Sequence, residues 1–345
     1  MVDRPPRRGL TARHLQLGLA VLWLLDGALQ LQPFMFTQGF ARQVIAPAAQ
    51  GQPALVSAAV GWAARLVAAH PVAWDAGFAA VQILIGLGLI WSRTARLALL
   101  GSFAWAAGIW YLGEGLGGIG GAHTSLLVGA PGAVAVYAVI GAAAWPDPAK
   151  PPARSPAAVT AWLLSGGHNR PPRSWAPAAW ALIWVGDAVF RLLPGQNRAG
   201  DLASTIAGNA GSAPAWLASL DRAVASGMRH GGTSLVAAFF AVEVAIGLLA
   251  LASPPVRAVA AGAGIALAAF FWLVGQSLGG IYSGQATDPS TAIPLALLGA
   301  ALLYLPGRRA AVPAPAAAAA TAAASRRRAH RQPVRGYFEV AQDRL

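Results

Sequence analysis

Cysteine is absent from the 345 residues, which excludes disulfides, thiolate nucleophiles and cysteine-ligated metal centres. Lysine is nearly absent too, since Lys150 stands alone beside 24 arginines. With the excess of alanine, that bias fits a GC-rich bacterial genome. Methionine occurs three times, too few for a soft-metal conduit. Charge is scarce as well. Asp, Glu, Lys and Arg make up 11% of the chain, against about 25% in an average soluble domain. No long segment therefore carries the charge to cover a large soluble surface.

What is present is apolar. Hydrophobic residues make up 56% of the chain, in recurring runs near the length that crosses a bilayer core of roughly 30 Å as helix. One run, GLAVLWLLDGALQLQP at 18–33, returns 161 positions later as WALIWVGDAVFRLLP. Trp23 falls on Trp184, Asp26 on Asp187 and Pro33 on Pro194, and at the same offset Gln82 meets Glu243 and Arg96 meets Arg257. With one residue of slip Glu114-Gly-Leu-Gly-Gly118 meets Gln276-Ser-Leu-Gly-Gly280, and a further slip sets Pro131 on Pro294. A repeat of this length governs the fold. The basic residues before the first run resemble the start of a signal peptide. Because its counterpart at 176–193 is internal, the first run is expected to be a retained helix.

The expected fold is an all-α polytopic membrane protein of eight transmembrane helices in two parallel four-helix repeats. The spans are placed at 12–32, 73–91, 96–112, 124–145, 176–193, 233–251, 256–274 and 291–305. Trp91, Trp110, Tyr111 and Trp145 close such runs, as aromatic belts do. The organisation follows as a first repeat over 1–145 with a basic N-terminal segment, a Pro-rich linker over 146–175, a second repeat over 176–305, and a basic tail over 306–345 whose composition cannot bury a core. Within the connection 33–72 a short amphipathic helix is expected at the interface, and VTAWLL at 159–164 is a second candidate for the membrane surface. With the N-terminus in the cytoplasm, outer segments receive only Arg42, Arg65, Arg191, Arg198, Arg222 and Arg229, and the other 19 of 25 basic residues fall inside. The positive-inside rule then favours both termini in the cytoplasm. Even numbers of crossings set the two halves parallel.

A charge inside a membrane helix is a functional-site candidate by default. Three columns qualify: Asp26 with Asp187, Gln82 with Glu243, and Glu114 with Gln276. No Lys, Arg or His is expected at their depth, so the acids would hold a proton or bind a cation. They read as a polar pocket in the outer half of each unit. The plainer alternative makes Asp26 and Asp187 loop caps, with Gln82 and Glu243 as hydrogen-bonding glue between helices. The turn Gly113-x-Gly115-x-x-Gly118 matches a dinucleotide fingerprint in form, but that motif has meaning only between a strand and a helix. A tight turn is the better reading. His70, His123 and His230 lack helical ligand spacing, so no metal site is expected. The arginines at 326–335 suit anionic lipid better than nucleic acid, which is not an expected partner.

The stretch Glu243-Val-Ala-Ile-Gly247-Leu-Leu-Ala-Leu with Arg257, echoed by Gln82-Ile-Leu-Ile-Gly86-Leu-Gly-Leu with Arg93 and Arg96, resembles the second-helix signature of the DoxX-like membrane proteins. That resemblance covers 18–145 and 176–305. It implies four-helix units in a bacterial inner membrane, a membrane redox or envelope partner protein besides the lipid bilayer, and quinone as the candidate cofactor. Without cysteine, any redox role runs through a partner or a bound quinone. Three functions follow: binding of a small amphiphile (quinone or lipid) in the acid-lined pocket without a catalytic group of its own; proton- or cation-coupled transport; or a structural, assembly role. A pocket facing lipid favours the first, a watery cavity between the repeats the second, and acids satisfied by backbone the third.

Overall fold

The computed structural model of the protein describes residues 10–305 except 120, 122–123, 147–159, 161–171, 194–195 and 212. The segment VTAWLL, most of the linker, the tail, His123 and Pro194 lie outside the described residues. Every regular element among those described is helical.

The first half holds α1 (Ala12–Gln30), α2 (Ala54–Ala69), α3 (Pro71–Ile90), α4 (Ala95–Leu112) and α5 (Ala133–Ala143). The second holds α6 (Ala176–Phe190), α7 (Ala199–Asn209), α8 (Ala215–Arg229), α9 (Gly232–Leu249), α10 (Pro254–Phe270) and α11 (Ala292–Leu303). Prolines open α3 and α10, where the missing N–H has no partner to lose and φ is already helical. Between α1 and α2 the chain makes the short turns Gln38–Phe40, Ala41–Ile45 and Ala46–Ala49. The helix α10 ends in a widened turn, Phe271–Gly275.

Among the described residues four helices are long and apolar enough to cross a membrane: Pro71–Ile90, Ala95–Leu112, Gly232–Leu249 and Pro254–Gly275. Only 22% of the apolar window of Gly232–Leu249 is buried. Its side chains therefore face outward, the reverse of a soluble core. Leu84, Leu182 and Val259 do the same from three other helices, each more than two-thirds exposed (67%, 76% and 72%). Such a surface suits lipid, not water.

Where helices cross, small residues let their backbones meet, as expected where apolar solvent removes the hydrophobic drive between helices. A Cβ on Gly86 would stand 2.6 Å from Leu24 and 3.0 Å from the Ala20 carbonyl. One on Gly247 would stand 2.8 Å from Val185 and 3.1 Å from the Ala181 carbonyl. Both glycines of the quoted signature thus serve the crossing of the first and second long helices in their halves. Just beyond these glycines, at the C-terminal ends of α3 and α9, arginines cap carbonyls. Arg13 donates to Leu89 (2.8 Å) and Ile90, and Arg257 to Ala250 (3.3 Å) and Ala252 (3.3 Å).

The reading of 124–145 as one helix is corrected. Its first part is irregular, with a turn at Leu126–Val128, and the helix begins only at Ala133. Gly129 and Gly132 take positive φ (95° and 94°), and Pro131 between them has no N–H to donate. Trp110 donates its indole N–H to the Pro131 carbonyl at 2.7 Å, and Trp272 donates to Pro289 at 2.9 Å. Pro294 lies buried inside α11.

Candidate functional site

Two sets of buried polar groups stand out, one in each half of the chain, and their surroundings differ. The helix α1 carries Asp26 and, one turn on, Gln30, while α3 carries Asp75, Phe78 and Gln82. The carboxylate of Asp26 accepts a hydrogen bond from the Tyr137 hydroxyl at 3.1 Å. Tyr137 is fixed in turn by an edge-on contact with Trp23, ring centres 5.0 Å apart, and the Trp23 indole donates to Ser102 at 2.9 Å. The Gln30 amide donates to Asp75.

Of these residues Asp26, Gln30, Phe78 and Gln82 border a cavity of about 670 Å³. Asp26, Gln30, Gln82, Glu114 and Asp288 supply its polar wall. Phe40, Trp62, Trp74, Phe78 and Trp105 supply an aromatic one. Trp62 and Trp74 are also exposed on the outside of the bundle (53% and 37%), which places the mouth between α2 and the start of α3. Three carboxylates line the cavity, and no Lys, Arg or His among the described residues does. The Gln82 carbonyl oxygen and Glu114 Oε2 have no hydrogen-bond partner among the described residues, and the Trp105 indole nitrogen has none either.

Glu114 stands in the glycine-rich turn after α4. Gly115, Gly117 and Gly118 all take positive φ there, and a Cβ on Gly117 would collide with the Pro131 carbonyl. The glycines are spent on a tight turn, and Gly132 leaves room for the Glu114 carboxyl itself. Burial pushes that carboxyl above the ordinary range; nearby Asp288 adds to the shift, and the Val134 N–H opposes it. Asp288 arrives from the second half, in the loop before α11. Its oxygens accept from the Thr287 hydroxyl (2.9 Å) and the Ser290 N–H (2.7 Å). Burial raises its pKa too, against those two hydrogen bonds.

In the second half Asp187 and Glu243 do not line this cavity. Arg191, which the charge count assigns to the outer connection, is fully buried between them. Its Nε lies 2.8 and 2.7 Å from the two Glu243 oxygens, and its Nη2 lies 3.1 Å from Asp187. The guanidinium rests over Phe239 and Phe271, 5.0 and 5.6 Å from their ring centres. Asp187 also accepts the Leu126 N–H at 2.6 Å, from the first half's irregular loop. The expectation that no cation stands at this depth is therefore corrected. A long side chain at a helix end need not point to water when two acids lie within reach.

Of the expected site residues, Asp26, Gln82 and Glu114 meet at the cavity, and Asp187 and Glu243 meet at Arg191. Gln276 joins neither: its amide donates to the Leu126 carbonyl at 2.6 Å and its oxygen accepts from the Ala292 N–H at 3.1 Å. It fastens the two halves together. Sequence reasoning missed Gln30, Arg191 and Asp288. The first two each follow an acid by four residues, Asp26 and Asp187, and that spacing was the available signal. Asp288 sits in a polar loop with nothing to mark it. Among the described residues no group of three or more His, Asp or Glu side chains is placed to hold a metal ion.

Comparison with family models, with curated proteins and with solved structures finds no match. The case for a function rests on this geometry.

Proposed function

We propose that the chain is an integral membrane protein of the DoxX-like kind that binds a small amphiphile in the cavity of its first half. The observation that carries this reading is the cavity's mixed lining, in which aromatic side chains stand together with carboxyl and amide groups. An amphiphile has a body for the first and a polar end for the second. A quinone or a lipid has that form.

In this reading the chain crosses the bilayer eight times, as two tandem four-helix repeats. The sequence repeat supports it, as do the paired contacts of Gly86 with Gly247 and of Trp110 with Trp272. The last helix of each half, α5 and α11, spans only about 17–18 Å at 1.5 Å per residue. The irregular loop before it completes the depth, which a membrane tolerates where backbone is buried in protein or borders a cavity. Both termini face the cytoplasm of a bacterial inner membrane. With Arg191 counted as a buried partner of acids, the outer segments keep five basic residues, and the charge bias sharpens.

The test is to purify the full chain from its membrane and identify bound small molecules by mass spectrometry. The variant Gly108→Leu serves as the control, because a Cβ at Gly108 has nothing within 4 Å and the position lines the cavity. The native chain is expected to retain an amphiphile and the variant to lose it while keeping its thermal stability. Identical extracts from both would contradict the reading.

A further inference from the structure

Four positions correspond at one offset of 161 residues: Asp26 with Asp187, Gln30 with Arg191, Phe78 with Phe239, and Gln82 with Glu243. In the second half these four form a closed set around one guanidinium, bonded to both carboxylates and lying on the phenyl face. In the first half all four border the cavity, and the arginine is replaced by a shorter, uncharged glutamine turned toward Asp75. We infer that the cavity's ligand carries a positive charge, an alkylammonium or guanidinium group held in the place that Arg191 takes in the other half.

The inference rests on reading the cavity as a ligand chamber and narrows what enters it. Three observations besides the correspondence support it. Gln82, a lining residue of the cavity, is 5% exposed, and its buried carbonyl oxygen has no donor among the described residues. Glu114 Oε2 is likewise an acceptor lacking a donor, and an ammonium group supplies N–H donors to both. Phe78 and Trp105 present aromatic rings, to which a cation is drawn by the ring quadrupole. A bare metal ion fits poorly, since no three carboxylates converge and the space is far larger than one ion. A carboxylate or phosphate would meet three acids and no cation. The ammonium group belongs either to a free amine or to a lipid headgroup, and the experiment separates these sources.

The full chain is placed in nanodiscs of phosphatidylglycerol, which has no ammonium group, and titrated with octylammonium, 1-octanol and octanoate. The readout is the fluorescence of the cavity tryptophans. Charge-assisted hydrogen bonds are roughly twice as strong as neutral ones, so octylammonium is expected to bind at least about ten-fold tighter than octanol, with octanoate weakest. Glu114→Gln should remove most of that preference while octanol binding stays. Gln30→Arg places a guanidinium where Arg191 has one and should block octylammonium. If that variant does not fold, Glu114→Gln and Gly108→Leu still decide. Equal binding of all three probes, each lost in Gly108→Leu, would overturn the charge inference and leave the chamber intact. No binding of any probe would overturn the chamber reading, and this inference with it. Mass spectrometry of the chain from its own membrane then assigns the source: a retained aminolipid marks a headgroup, a small amine the free form, and an acidic or neutral amphiphile contradicts the proposal.

Discussion

Arg191 is the residue on which the second half turns. Removing one member of a buried ion pair costs about 3–5 kcal/mol, because the remaining charge is stranded away from water. Arg191→Leu is therefore expected to lower unfolding stability in detergent by that order. Adding Asp187→Asn and Glu243→Gln to it should recover part of the loss, which chemical denaturation of the three proteins would show. The acids of this set were legible in the sequence, since a carboxylate in an apolar run stands out. Their partner was not, because an arginine at a helix end has the form of a surface charge. Glu114 and Asp288 give a second expectation. Both carboxyls sit above their ordinary pKa range through burial. A group raised in the folded state gives its full stability below the unfolded value and loses it as pH rises through the folded one. The thermal midpoint of ligand-free protein should fall as pH rises out of the ordinary carboxylate range. Glu114→Gln should flatten the fall, and an equal slope in the variant would remove Glu114 from the account.

At the scale of elements, the long apolar helices were readable to within a few residues, because length, hydropathy and terminal prolines agreed. The fourth helix of the first half was not. Its run stays apolar through 124–145, and hydropathy alone does not register that Gly129, Pro131 and Gly132 break the backbone there. Glycines divide by what they touch. Gly86 and Gly247 lie in helix crossings, where overpacking costs about 1–3 kcal/mol, so Gly86→Leu and Gly247→Leu should each destabilise the bundle by that order. Gly108→Leu borders free space and exchanges a poor helix former for a good one. It should leave stability unchanged or raised, and thermal unfolding of the three variants side by side checks the ordering. Loops cross between halves: Leu126 reaches Asp187, while Asp288 reaches the first half's cavity. No periodicity announces such an exchange, so the cavity's third carboxylate had no signature in the chain.

For the whole molecule, the absence of cysteine becomes an experimental asset. A single introduced cysteine is the only thiol, so a membrane-impermeant maleimide reports its side without background. Under the proposed topology, with both termini cytoplasmic, Arg65→Cys on α2 should label in intact spheroplasts, and Lys150→Cys only after the membrane is opened. The reverse pattern would invert the topology. The central claim is that two related acid sites have been put to different uses. One is closed by the chain's own guanidinium, and the other is shaped to take a molecule from outside. A cryo-electron-microscopy map of the full chain purified with its native lipid tests this most directly. The account predicts continuous density from Arg191 to Glu243, and non-protein density against Glu114 and Gln82 in the first half. A map in which Arg191 points to solvent, or in which Phe78 and Trp105 have closed over Asp26 with no room between them, would contradict it.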